Sequence, residues 1–260
     1  MGRARQISDG IWWVGCGSWG GLTEVLSVEG SGNVFLIGGD GDYALIDAGV
    51  PEGVEAVLAN AAAIGARPGD IKRIVLTHSH YDHAHGLTEL KRATGARTAS
   101  SGLAAAGLGG DPEARQRLFI RPGPPAEIDE VLEEGDQVAL GPYGFRVVLT
   151  PGHIPDAVTL VGQVAGKTVA FTGDTAIGDQ GQVKGVVGWL DGHWGSNPKH
   201  LAGSIERIRQ CRADLMLAGH GLPIAGRDQV AESLEHCADR LRQLLAISGL
   251  GSMMPLDLAD

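Results

Sequence analysis

Basic charge is scarce in this chain: 21 Lys and Arg stand against 31 Asp and Glu over 260 residues, a formal net charge of −10 with histidine neutral. A protein that binds by neutralising phosphates along a nucleic acid needs the opposite balance, so nucleic acid is not an expected partner. Cysteine is sparse too. Cys16, Cys211 and Cys237 are far apart and form no C-x-x-C pair, which argues against a disulfide framework or a thiolate zinc site. No run of about 20 apolar residues occurs, and the opening MGRARQISDGIWW has no apolar stretch of signal-peptide length. The expected setting is therefore the cytoplasm, with no membrane partner. Aromatics make up only 5% of residues, whereas glycine reaches 41, more than twice its usual share of about 7%. Those glycines have no three-residue period, so the chain is not collagenous and many tight turns are expected. Hydrophobic residues at 43% and charged residues at 20% are ordinary for a globular chain with a proper core.

Apolar runs punctuated by glycine predict strands at 11–15, 33–39 and 43–49, with Asp40-Gly41-Asp42 as a hairpin turn. Helical spacing of Val54, Val57, Leu58 and Ala61 predicts a helix over 52–63. A second strand-helix unit follows, with IKRIVLT at 71–77 and a helix over 87–94 closed by Gly95. Residues 100–127, rich in Ala, Gly and Pro, form the least regular stretch and read as a surface insertion in a single domain spanning 1–260. Closely spaced strands at 137–141, 145–150, 157–163 and 168–174 suggest a second sheet with hairpin connections. A helix over 198–211, a strand over 213–219 and a last helix over 227–247 complete an α/β order.

Four of the nine histidines fall within eight residues, in Thr77-His78-Ser79-His80-Tyr81-Asp82-His83-Ala84-His85. Crowded imidazoles repel one another when protonated and gain little when neutral, whereas a divalent cation turns their nitrogens into ligands. In extended chain His78 and His80 point the same way and reach one ion, while a turn lets Asp82 and His83 reach a second. The same local pattern recurs three times. FRVVLT runs into Pro151-Gly152-His153, TVAFT into Gly173-Asp174-Thr175, and ADLMLA into Gly219-His220-Gly221, so each candidate ligand lies just past a predicted strand.

The set THSHYDH, PGH, TGD and GHG, in this order, resembles the metallo-β-lactamase superfamily over about residues 10–247, and most closely its glyoxalase II-like dinuclear branch. The resemblance implies a four-layer αβ/βα sandwich with metals at one edge of two facing sheets. It also implies that His78, His80 and His153 hold a first metal, that Asp82, His83 and His220 hold a second, and that Asp174 bridges them. Asp47 in LIDAG matches a family position that supports the ligands. Two divalent ions are expected, zinc by default with iron or manganese as alternatives, since the donors are imidazole and carboxylate without thiolate.

A water shared by two cations loses a proton near neutral pH, and the remaining positive charge stabilises an oxyanion. The reading is a hydrolase that uses a metal-bridging hydroxide on a small thioester, lactone or related ester, with Asp82 orienting the hydroxide or shuttling its proton. Asp174 counts against β-lactams, because the resemblance implies no aspartate there in true metallo-β-lactamases. The stretch Thr175-Ala176-Ile177-Gly178 lacks the tyrosine that the superfamily's homoserine-lactone hydrolases place after this aspartate. That favours a thiolate leaving group, which departs with less help than an alkoxide. The chain ending ISGLGSMMPLDLAD has no basic residue of the kind with which glyoxalase II binds glutathione. Glycine-rich loops at 15–24 and 184–200 are candidate pocket walls, with Trp19, His193 and Trp194 as candidate substrate-binding residues. Two alternatives stay open within the same fold: a persulfide dioxygenase with one iron, and a phosphodiesterase or nuclease. The sequence leaves the oligomeric state open, a homo-oligomer included.

Overall fold

The computed structural model describes residues 4–17, 26–118, 120, 125–180, 183–188, 190–192 and 195–247. Its first sheet has seven strands in sequence order: β1 (Arg5–Ser8), β2 (Ile11–Gly15), β3 (Val34–Gly39), β4 (Asp42–Ile46), β5 (Ile71–Val75), β6 (Arg97–Ser101) and β7 (Glu130–Leu132). The strands pair antiparallel as far as β4 and parallel from β4 to β7. The change of sense follows from the connections. Asp40 and Gly41, with φ of 51° and 81°, make the tight hairpin between β3 and β4. The parallel strands are joined by helical crossovers, α1 (Val54–Ala63) before β5 and α2 (Tyr81–Ala84) with α3 (Leu87–Thr94) before β6.

The second sheet has six strands: β8 (Gln137–Leu140), β9 (Tyr143–Leu149), β10 (Val158–Val164), β11 (Lys167–Gly173), β12 (Leu215–Ala218) and β13 (Ile224–Ala225), in the spatial order β13-β12-β11-β10-β9-β8. Only β11 and β12 pair parallel, and α6 (Pro198–Gln210) lies in the connection between them. The long helix α7 (Arg227–Ile247) follows β13.

Alternation along the strands sets the layers. Phe35 and Ile37 face the second sheet while Leu36 faces α1 and α3; Val169, Phe171, Leu215 and Leu217 face the first sheet while Ala170 and Met216 face α6 and α7. Strands apolar on both faces read as continuous hydrophobic runs for this reason. Phe171 lies at the centre of the inter-sheet core, with ring centroids 5.7 Å from Phe35 and 5.6 Å from Phe145. Each fully buried side chain of this size contributes roughly 1.5–3 kcal/mol through area removed from water. The order helix, sheet, sheet, helix is the expected four-layer αβ/βα sandwich.

Residues 100–127 are more regular than their composition suggests. They include the end of β6, then α4 (Gly102–Gly109) and α5 (Pro112–Leu118). Ala and Gly carry no amphipathic period, so the helical signal is in the caps: Ser101 Oγ accepts from the Ala104 N–H, Gly110 stops α4 at φ 105°, and Asp111 Oδ1 accepts from the Ala114 N–H. No helix among the described residues is long and apolar enough to cross a membrane.

Candidate metal centre

Loops from both sheets meet at one edge of the sandwich. The chain leaving β5 carries His78 and His80 and then turns into α2, which holds Asp82 and His83. The exits of β9, β11 and β12 carry His153, Asp174 and His220. Ligand-type atoms of His78, His80 and His153 lie within 4.8 Å of one another, as do those of His78, His83 and Asp174, and those of Asp82, His83 and His220. All seven side chains singled out in the sequence therefore converge. The shortest contacts are His80 Nδ1 to His153 Nε2 at 2.9 Å, His220 Nε2 to Asp82 Oδ2 at 3.0 Å and to Asp174 Oδ2 at 3.3 Å, and His83 Nε2 to His220 Nε2 at 3.2 Å.

Hydrogen bonds behind the cluster orient the rings. Asp47 Oδ1 accepts from the Thr77 N–H at 2.7 Å, and Asp47 Oδ2 accepts from the Thr77 hydroxyl at 2.8 Å and faces His83 Nδ1 at 3.0 Å. Since the Thr77 hydroxyl donates to Asp47, His78 Nδ1, 3.0 Å from Thr77 Oγ1, is the donor of that pair. Both rings thus present Nε2 to the cluster, as metal-binding imidazoles do. Asp47 also has a φ of 63°, a left-handed conformation to which aspartate is better suited than most residues. Gly32 and Gly219 pack on His83, where a Cβ would come within 2.5 Å and 2.6 Å of its Cε1.

The elements carrying these loops are tied down independently. Asn197 caps α6 by accepting from the Lys199 and His200 N–H groups, and its own N–H donates to the Gly152 carbonyl. Ser196 Oγ donates to the His153 carbonyl and Ser204 Oγ to that of Pro151, so α6 and its approach hold the His153 turn. Asn33 does the same for His220: its N–H donates to the Gly219 carbonyl and its amide to those of Ala218 and Gly221, while Trp13 Nε1 donates back to Asn33 Oδ1.

The electrostatics ask for positive charge between the carboxylates. Burial holds His78 well below the usual imidazole value and brings His80 down to about 3, so both rings are neutral. Burial works in the same direction on His83 and His220, yet Asp82 and Asp174 raise His83 well above its ordinary value, and Asp174 with Asp82 raises His220 to about 9. Burial opposes ionisation of Asp82 as well, but His83 and His220 bring it down to about 2. His78 Nε2 and Asp174 Oδ1 are buried without a hydrogen-bond partner, an arrangement that is costly unless a cation satisfies it. Two neutral imidazoles, ionised carboxylates and two buried atoms without a hydrogen bond fit a metal site. Its solvent side is marked by Asp82 and His220, whose side chains are 19% and 11% exposed, against none for His83.

Trp19, Trp189, His193 and Trp194 lie outside the described residues. His85 lies against Tyr81, tilted by 53° at 4.7 Å between ring centroids, and is in none of the three ligand groups. Sequence reasoning missed Asn33 and Thr77, each an ordinary residue in an ordinary strand context, and also Asp156 beside the His153 turn.

Known proteins give the same picture at two levels. A search of solved structures finds the fold in a metallo-β-lactamase of Cronobacter sakazakii (TM-score 0.73, 22% identity, 95% of this chain and 99% of that one). It also finds one from Novosphingobium pentaromativorans (TM-score 0.72, 24% identity, 96% and 92%). Among curated proteins, hydroxyacylglutathione hydrolases are similar: that of Anaeromyxobacter dehalogenans is 39% identical over 126 residues, 48% of this chain and 40% of the relative. That of Rhodospirillum rubrum is 38% identical over 135 residues, 52% and 43%. The match spans less than half the length of these relatives. The family model described as the metallo-beta-lactamase superfamily covers residues 28–220, from just before Asn33 through the last clustered histidine, and the chain belongs to that superfamily.

Proposed function

We propose that the protein is a dinuclear metal-dependent hydrolase acting on a small thioester, or on a lactone or related ester. His78, His80 and His153 would hold one ion, Asp82, His83 and His220 the other, and Asp174 would contribute to both. The observation that carries this reading is the placement of Asp174, which shares one group of ligand atoms with His78 and His83 and lies 3.3 Å from His220 and 3.6 Å from His153. Zinc suits this donor set, as do iron and manganese. When bound, such a pair of ions supplies an activated hydroxide at neutral pH and Lewis acidity for the developing oxyanion.

The chain's own residues do the rest. Asp82 is ionised at neutral pH and stands on the solvent side, where it can orient an incoming group or accept its proton; it is the catalytic residue of this proposal. His83 is locked by Asp47 and walled by Gly32 and Gly219, so the inner side of the cluster is closed and substrate approaches past Asp82 and His220. The hydroxyacylglutathione hydrolases among the relatives support a thioester. Against a glutathione-specific site, Arg242 is engaged by Glu235 and Asp239. The cytoplasm is the setting we propose, where free thiols such as Cys16, Cys211 and Cys237 persist.

The test is a panel of thioesters, lactones, phosphodiesters and a persulfide, assayed on protein stripped by chelator and then reloaded with zinc, manganese or ferrous iron. Thioester turnover that is lost on stripping and restored by metal is expected. Full activity in the stripped protein, or uniform inactivity across the esters, contradicts the proposal.

A further inference from the structure

Asp156 is a buried charge that the metal centre, as described, leaves unexplained. It lies three residues beyond His153 and is 2% exposed, with both carboxylate oxygens shielded and neither in a well-aligned hydrogen bond. Its polar neighbour is Ser79, the residue between His78 and His80. Its backbone carbonyl accepts from Ser101 Oγ at 2.8 Å, which pins this turn to the end of β6. No cationic side chain among the described residues faces the carboxylate; burial pushes it up to about 6, and the Ser79 hydroxyl and N–H offset only part of that.

An unpaired carboxylate in such a place disfavours the folded protein unless positive charge arrives nearby. A site holding two divalent ions, Asp82, Asp174 and one hydroxide would keep one net positive charge, and Ser79 and His153, which connect Asp156 to it, are next to or among its proposed ligands. We propose that Asp156 is the buried counter-charge of the metal centre, acting from behind the His78–His80 segment and the His153 turn as a positioning residue and not as a ligand. The inference rests on the metal-centre reading above.

It demands opposite effects in two states, which a merely structural residue would not produce. Asp156→Asn, nearly isosteric, removes the unpaired charge. Thermal unfolding of chelator-stripped protein at pH 7.5 should then move up by a few degrees. Zinc affinity measured by competition with a chromophoric chelator should weaken by about tenfold or more, the usual scale for groups behind the ligands. Unchanged affinity overturns the inference, because the charge would then not act on the metal; a lower midpoint for the stripped variant or its failure to fold overturns it too, because the carboxylate would then serve packing. The same titration on the unaltered protein separates the two readings. If that protein binds no zinc, the metal centre fails and takes this inference with it; if it binds zinc and the variant binds equally well, only the inference falls.

Discussion

In the centre, His83 is fully buried and held by Asp47. One carboxylate receives the Thr77 N–H and hydroxyl and fixes the His83 ring, so a single residue orients candidate ligands from both ends of the H-x-H-x-D-H segment. Asp47→Asn keeps the shape and tolerates the left-handed backbone, but cannot hold an acceptor toward all three donors. The expected outcome is a loss of metal affinity of about 10–100-fold with little change in the unfolding of the stripped protein, read by chelator competition and thermal melts. An affinity unchanged within twofold would remove Asp47 from the account. At this scale the clustered residues were legible in the sequence because chemistry concentrates them: of the four histidines within eight residues, His78, His80 and His83 join the cluster and His85 does not. Asn33 and Asp156 were not, since an asparagine before a strand or an aspartate in a Pro-rich turn is a common turn residue, and only the tertiary fold shows what surrounds it.

Among the elements, those with a strong local signal were legible and the short ones were not. The β2, β3, β9, β10 and β11 strands stand out as branched or aromatic runs, and α6 and α7 as helical patterns. Strand β1, reading RQIS, and the two-residue β13 carry no such pattern and exist because a neighbouring edge offers hydrogen bonds. The β6–β7 edge is tied by Asp129, whose carboxylate accepts from the Thr98 N–H and hydroxyl and from Lys91 on α3. Burial opposes its ionisation, but the Lys91 and Thr98 hydrogen bonds win and hold its pKa below the ordinary carboxylate range. A depressed folded-state pKa contributes stability above the unfolded value near 4, and that contribution disappears as pH falls through the folded value. Asp129→Asn should therefore cost about 1 kcal/mol at pH 7, discounted for partial exposure, and the difference from the unaltered protein should shrink as pH falls below the unfolded value near 4 in urea melts. A difference that is constant with pH would show that charge has no part in it.

Across the whole molecule, the centre belongs to neither half alone. The first sheet supplies His78, His80, Asp82 and His83; the second supplies His153, Asp174 and His220. Backbone bonds from Val158 N to Thr77 O at 2.8 Å and from Asn33 N to Gly219 O at 2.7 Å fasten the halves beside the cluster. A metal held this way would cross-link the two sheets, so its binding free energy would add to folding stability and be lost with the ion. The measurement that tests this most directly is the metal content of the purified protein and of Asp174→Ala, with thioester turnover followed on the same samples. About two divalent ions per unaltered chain, with fewer retained and turnover abolished in Asp174→Ala, is the predicted result. Full turnover in a variant or stripped chain that holds no metal would contradict it.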